Sequence, residues 1–103
     1  RDFTYIDDIV DGFILAINKP LDFEIFNLGR GSPEALENYL NEFEKSIGIS
    51  AKIDYVEIQA GDMVETWADI SKAKKLLGYI PKIKIKEGVN NYIEWFKDYY
   101  DYS

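Results

Sequence analysis

The chain contains neither cysteine nor histidine. Without cysteine there can be no disulfide, no zinc–thiolate site and no thiol nucleophile. Without histidine the chain lacks the commonest general base and transition-metal ligand. No apolar run approaches the roughly 20 residues of a membrane span, and no basic-then-apolar stretch has the form of a signal peptide. We therefore expect a protein that binds no metal, has no membrane partner and is located in the cytoplasm.

Acidic residues outnumber basic ones, with 19 Asp and Glu against 12 Lys and Arg and a formal charge of −7. Such a chain repels phosphate backbones, so nucleic acid is not expected as a partner. A small anionic ligand remains compatible with the sequence if a few cationic groups gather locally. Hydrophobic residues make up 47% of the 103 residues, which predicts one small folded domain spanning residues 1–103.

Four segments have the apolar spacing and the end signals of helices. In the second helix Ser32 is the expected N-cap and Pro33 the first helical residue, and in the third Asp69 or Ser71 is the expected cap. The predicted helices run from Ile6 to Asn18, from Ser32 to Gly48, from about Ser71 to Gly78 and from about Glu87 to Tyr100.

Two or three short strands are expected between these helices. The segments Phe23 to Leu28 and Lys52 to Ile58 are rich in β-forming residues, and Lys82 to Ile85 alternates apolar and polar residues. The predicted class is therefore α/β, in the form of a small α+β-like domain. So few strands do not make a stable sheet of their own, and helices with broad apolar faces need a surface to cover. We expect a homodimer or higher oligomer, or packing against another domain.

Three polar loops contain the candidate ligand-binding residues. Arg1 carries a fork of donors suited to a phosphate or carboxylate, although the residue alone favours a solvated arginine without such a role. The loop from Asn27 to Ser32 could cradle an anion before a helix, but glycine and a serine cap also serve a purely structural turn. In the loop from Gln59 to Asp62, both end residues could hydrogen-bond a ribose or phosphate, whereas spacing alone favours a connecting loop.

The loops occur together, in order and with fitting separations, and this joint pattern resembles a known family. It is similar to the carboxyl-terminal, substrate-binding third of NAD-dependent nucleotide-sugar epimerases and dehydratases, which are extended short-chain dehydrogenase/reductase enzymes. A Gln-x-Gly-Asp loop makes UDP-glucuronate 4-epimerase the closest subgroup. The motifs that carry the resemblance are Arg1-Asp2-Phe3-Thr4-Tyr5-Ile6-Asp7-Asp8, Phe26-Asn27-Leu28-Gly29, Gly61-Asp62, Thr66-Trp67-Ala68-Asp69, Leu76-Leu77-Gly78-Tyr79-Ile80-Pro81 and Glu94-Trp95-Phe96.

The resemblance implies a role for each of four residues. Arg1 would contact the diphosphate of a UDP-sugar, and Asp62 would contact or orient its ribose. Gln59 would lie near the diphosphate, at a position where UDP-galactose epimerases usually have arginine. Asn27 would shape the pocket wall.

The resemblance also implies a second, NAD-binding Rossmann domain in the complete enzymes, where a Tyr-x-x-x-Lys pair removes a hydroxyl proton while NAD takes hydride. This chain has no Gly-rich fingerprint of that kind, and none of its tyrosines is followed four residues later by lysine. We therefore expect no catalytic residue, no bound NAD, weak UDP-sugar binding and no turnover by this chain alone.

Three interpretations stay open at this point. The first is the substrate-binding part of a UDP-sugar 4-epimerase in polysaccharide precursor synthesis. The second is the corresponding part of a UDP-glucuronate decarboxylase or dTDP-glucose dehydratase, because a shared fold does not fix the reaction. The third is a stand-alone binding or self-association module with no nucleotide-sugar role.

Overall fold

A computed structural model describes residues 1–102 and contains four helices. Helix α1 spans Ile6–Ile17, α2 spans Leu36–Ile47, α3 spans Ser71–Leu77 and α4 spans Ile85–Tyr99. The predicted number and order of helices are confirmed. Helix α1 has Asp7 and Asp8 in its first turn, where negative charge stabilises the amino-terminal end of a helix.

Helix α2 begins later than the sequence predicts, because residues 32–34 make other contacts. The amide of Ser32 donates to the Asp2 carboxylate at 3.2 Å, and Glu34 exchanges two backbone hydrogen bonds with Arg1, both of 2.9 Å. Ser32 is therefore not the N-cap. The predicted end is correct: Gly48 adopts the left-handed conformation, with φ of 81°, which glycine accepts at a helix end without steric cost.

Helix α3 ends at Gly78, as predicted, with φ of 69°. At its start the Asp69 carboxylate accepts hydrogen bonds from the hydroxyl and the amide of Ser71, at 2.6 and 3.0 Å. These two bonds lower the pKa of Asp69. Asp69 therefore lies one residue before the N-cap position, Ile70, and still binds the first turn.

The predicted strands are wrong, since residues 1–102 contain helices but no strand. A strand exists only where a neighbouring backbone pairs with it, and neither 23–28 nor 52–58 lies beside such a partner. Lys72 instead binds the first segment, through Glu24 at 2.5 Å and over the Phe26 ring at 5.3 Å. In the third segment Ile85 already belongs to α4.

The core is small and the molecule is flat. Helix α1 packs against α3, and α2 packs against α4. The principal extents are 48, 36 and 18 Å, so the thinnest direction is less than two helix diameters of about 10–12 Å each. Few side chains can be fully enclosed in such a slab; the buried hydrophobic residues are Ile70, Ala73, Leu77, Tyr79, Val89 and Ile93.

Much of the apolar surface is exposed as a consequence. Helix α1 presents Phe13 and Ile17 to solvent, the latter with 79% of its surface accessible. The segment from Ile53 to Ile58 also lies open. Among residues 1–102 no helix is long and apolar enough to cross a membrane.

Two buried polar side chains join the parts of this slab. Asp8 is 2% exposed, and its two oxygens accept the amides of Lys82 and Ile83 at 2.9 and 3.0 Å. Tyr79 is 1% exposed, and its hydroxyl donates to the Gly29 carbonyl at 2.7 Å. These contacts fix α1 and the loop after residue 28 relative to α4 and α3.

Candidate functional site

Arg1 and Asp62 meet although they are far apart in the sequence. The Arg1 guanidinium binds the Asp62 carboxylate at 2.6 Å and also donates to the carbonyl of Met63. The Arg1 and Asp62 side chains are 34% and 54% exposed, so the pair faces solvent. A guanidinium carries five donors, and those not engaged here remain able to bind an oxyanion.

Gln59 belongs to the turn that presents Asp62. The amide of Asp62 donates to the carbonyl of Gln59 at 3.1 Å. Gly61, the third residue of the turn, has φ of 86°, while Ala60 has negative φ; this combination is typical of a type II turn, which requires glycine or asparagine at that position. Gln59 is thereby placed near the Arg1–Asp62 pair.

Asn27 contacts a different part of the chain and not the Arg1–Asp62 pair. Its amide nitrogen approaches the carbonyl of Asp69 at 3.5 Å, before helix α3. The structure thus brings together Arg1, Asp62 and the turn that contains Gln59, while Asn27 borders the start of α3.

The glycine loop before α2 is not a free anion cradle. The amides of Gly31 and Ser32 donate to the Asp2 carboxylate at 2.9 and 3.2 Å. In addition, α2 begins only at Leu36, so no helix start follows the loop directly. The structural interpretation of this loop is therefore the better one. Asp2 thus occupies the Gly31 and Ser32 amides that could have bound a phosphate, and the loop does not have the Gly-rich sequence of an NAD-binding turn.

The second arginine of the chain is engaged within its own loop. Arg30 donates twice to the carbonyl of Ser32, at 2.6 and 3.2 Å, and contacts Glu34 at 3.4 Å. Hydrogen bonds from Asn38 and Arg30 lower the pKa of the Glu34 carboxyl. Arg30 is only 13% exposed, so of the two arginines Arg1 is the one accessible to a ligand.

The sequence assigned no role to Asp2 and did not predict the hydrogen bond of the Trp67 indole. The Asp2 carboxylate accepts the amides of Gly31, Ser32 and Ala68, and the Trp67 indole donates to the Gly31 carbonyl at 3.1 Å. Asp2 stands directly beside the candidate arginine and Trp67 lies in a recognised motif, which are the only signals that could have singled them out.

An apolar groove of about 560 Å³ lies between residues 3–6, α2 and α4. The rings of Phe3 and Tyr39 stack there, with centroids 3.8 Å apart. Phe43, Tyr92 and Trp95 continue this aromatic wall. The Arg1–Asp62 pair does not line this groove, so the polar site and the aromatic groove are separate features.

Comparison with known proteins shows what this chain is similar to. No family model matches the chain. An uncharacterized protein of Methanocaldococcus jannaschii, MJ1055, is 46% identical over 102 residues, covering 99% of this chain and 31% of the relative. The UDP-glucuronate 4-epimerase of Thermodesulfobacterium geofontis is 48% identical over 99 residues, covering 95% of this chain and 30% of the relative.

Comparison of the fold with solved structures also finds UDP-glucuronate 4-epimerases. The crystal structure of a UDP-glucuronic acid 4-epimerase from Bacillus cereus, in complex with a fluorinated UDP-glucuronic acid and NAD, superposes with a TM-score of 0.86 at 33% identity. The superposition covers 97% of this chain and 32% of that structure. The chain spans about a third of the length of the relatives it matches.

In sequence and in fold the chain is therefore similar to one class of proteins, the NAD-dependent epimerases of the extended short-chain dehydrogenase/reductase family. Within that class the homologues and structural neighbours include UDP-glucuronate 4-epimerases. The chain matches a carboxyl-terminal fragment of such an enzyme.

Proposed function

We propose that this chain is the UDP-sugar-binding part of a nucleotide-sugar 4-epimerase of the UDP-glucuronate or UDP-glucose type. The observation that carries the proposal is the exposed Arg1 guanidinium, held 2.6 Å from a carboxylate 61 residues away, in a chain that matches UDP-glucuronate 4-epimerases over nearly all its length. A guanidinium beside a carboxylate supplies complementary groups for a diphosphate and for ribose hydroxyls.

Each candidate residue has a role in this proposal. Arg1 binds the diphosphate with the donors that Asp62 leaves open, and Asp62 accepts hydrogen bonds from the ribose. Gln59 offers a neutral amide near the diphosphate, and Asn27 forms part of the pocket wall. All four act by binding and orienting the sugar nucleotide; none is assigned a proton transfer.

The reaction itself needs groups that this chain does not contain. No tyrosine here is followed four residues later by lysine, and the glycine loop is bound to Asp2. We propose that NAD and the proton-transferring tyrosine belong to a Rossmann domain that packs on this chain, in the cytoplasm. The exposed apolar face of α1 supports such packing, because apolar surface of that kind is normally covered.

The same exposed face favours one alternative, a module that associates with itself and has no nucleotide-sugar role. Relatives that decarboxylate or dehydrate nucleotide sugars stay within the first proposal as a change of reaction, since this chain would bind the nucleotide in each. A UDP titration separates the binding proposal from the alternative: a self-association module binds no UDP.

The test is the affinity of the purified chain for UDP, followed by isotope-edited NMR. We expect a dissociation constant of about 1 mM, because part of the pocket lies outside the chain and an incomplete site binds weakly. Arg1→Gln should weaken binding by about tenfold or more, the loss of a charge-assisted contact. Lys45→Gln is the control, since it removes one positive charge from a side chain that is 72% exposed and pairs only with the neighbouring Glu42 among the described ion pairs.

Two results would contradict the proposal. One is the absence of any change in the NMR chemical shifts of the protein at millimolar concentrations of UDP. The other is equal weakening by Arg1→Gln and Lys45→Gln, which would indicate a response to net charge rather than to a site.

A further inference from the structure

We propose that Asp2 is a positioning residue that sets Arg1 and Asp62 at the separation the sugar nucleotide requires, without touching the ligand itself. This inference rests on the proposed function, because it concerns the same binding site. It is drawn from the contacts of a single carboxylate that the sequence did not single out.

The Asp2 carboxylate joins two segments that are distant in sequence. One oxygen accepts the amides of Gly31 at 2.9 Å and Ala68 at 3.1 Å, and the other accepts the amide of Ser32 at 3.2 Å. The backbone amide of Asp2 also donates to the Thr66 hydroxyl at 3.3 Å. Asp2 therefore holds both the loop before α2 and the segment before α3 beside Arg1.

These two segments are the supports of the candidate site. Residues 66–68 follow Asp62 closely in the chain, and residues 31–32 lead to Glu34, which exchanges backbone hydrogen bonds with Arg1. Within the described residues, hydrogen bonds between the 59–63 turn and distant parts of the chain come from Arg1 alone. Residues 66–68 follow this turn in the chain and are bound to Asp2. The placement of Asp62 opposite Arg1 therefore depends on Asp2 as well as on Arg1 itself.

The Asp2 carboxylate does not compete with Asp62 or with a ligand for the Arg1 guanidinium. Its oxygens are occupied by three amides, and no ion pair of the described residues involves it. A carboxylate that accepts several amides is stabilised without a cation. Arg1 is therefore left to Asp62 and to a ligand, although an aspartate is its immediate neighbour.

The close approach needs a glycine. A Cβ on Gly29 would lie 2.6 Å from the Cβ of Ala68 and 2.9 Å from an Asp2 oxygen. Only a residue without a side chain lets these three segments meet around one carboxylate.

The test compares Asp2→Asn with Arg1→Gln and with the double variant, using UDP titrations followed by NMR. Asp2→Asn should weaken UDP binding about tenfold, because the amide group turns a donor toward backbone amides and loosens the site. A role through charge alone predicts the opposite, since removing a negative charge beside Arg1 should strengthen anion binding. Asp7→Asn, an equal charge change on an exposed residue, should leave affinity within about twofold.

The double variant decides whether Asp2 acts through Arg1. If it does, Asp2→Asn adds less than about twofold to the loss already caused by Arg1→Gln. Independent, additive losses would overturn the proposal. So would unchanged or tighter binding by Asp2→Asn.

A ligand-free measurement keeps this inference separate from the proposed function. Asp2→Asn should shift the amide signals of residues 61–63, which Asp2 does not contact, whereas Arg1→Gln should leave those of Gly31, Ser32 and Ala68 in place. If the wild-type chain binds no UDP, the proposed function fails, and with it the positioning role, even where the amide shifts confirm the anchoring. If Asp2→Asn does not fold, Thr66→Val removes the single bond to the Asp2 amide and should weaken UDP binding about threefold; unchanged affinity would overturn the inference.

Discussion

Asp8 offers the sharpest test of how the slab is held together. It is 2% exposed and accepts two backbone amides, from Lys82 at 2.9 Å and Ile83 at 3.0 Å. A hydrogen bond to a charged group contributes about 1.5–3 kcal/mol, and Asp8→Ala leaves two partly buried amides without an acceptor. We expect the free energy of unfolding to fall by about 3 kcal/mol, a large part of the total for a chain of this size.

The assay is urea denaturation, with Asp7→Ala as the matched control. Asp7 precedes Asp8 in the same first turn of α1 but is exposed, so both residues interact similarly with the helix dipole, worth about 0.3–1 kcal/mol. The difference between the two variants therefore isolates the contacts with residues 82–83. Equal destabilisation by Asp7→Ala and Asp8→Ala would refute the reasoning.

Four further outcomes are expected. Tyr79→Phe should lower the free energy of unfolding by about 1–2 kcal/mol in urea, because the buried Gly29 carbonyl loses its donor. Burial, with the charge of Asp8, raises the pKa of Tyr79 from 10.0 to about 12; its contribution to stability should be complete below pH 10 and be lost as the pH rises toward 12, in urea titrations at increasing pH. Gly29→Ala should cost about 1–3 kcal/mol by the same assay, because the new Cβ would lie 2.6 Å from that of Ala68, and unchanged stability would contradict the close approach. Light scattering should show a dimer or larger species that Ile17→Asp dissociates; a monodisperse wild-type monomer at high concentration would contradict this.

The helices could be predicted because their signals are local. Gly48 and Gly78 end their helices as predicted, and both adopt the left-handed conformation; the apolar spacing of α1 predicted its length. The start of α2 could not be predicted, since it depends on the Glu34–Arg1 and Ser32–Asp2 contacts, which join residues about thirty positions apart.

The strands failed for a related reason. A β-rich stretch such as 52–58 becomes a strand only when another backbone pairs with it, and composition does not report whether that partner exists. Among the candidate site residues, Arg1 and Asp62 lie in contact, whereas Asn27 contacts Asp69; their roles in binding stay predictions. The contacts of Asp2 could not be predicted because its partners are three backbone amides. Every residue except proline has such an amide, so residue type does not reveal these partners.

The most direct test of the central claim is a chimera in which this chain replaces the matching third of the Thermodesulfobacterium geofontis UDP-glucuronate 4-epimerase, which is 48% identical over that region. The measurement is 4-epimerisation of UDP-glucuronate by the chimera with Arg1 and with Arg1→Gln. The account predicts turnover by the first and a loss of about 10–100-fold in kcat/KM by the second, with NAD still bound. A chimera that folds and binds NAD but shows no turnover, or turnover indifferent to Arg1, would contradict it.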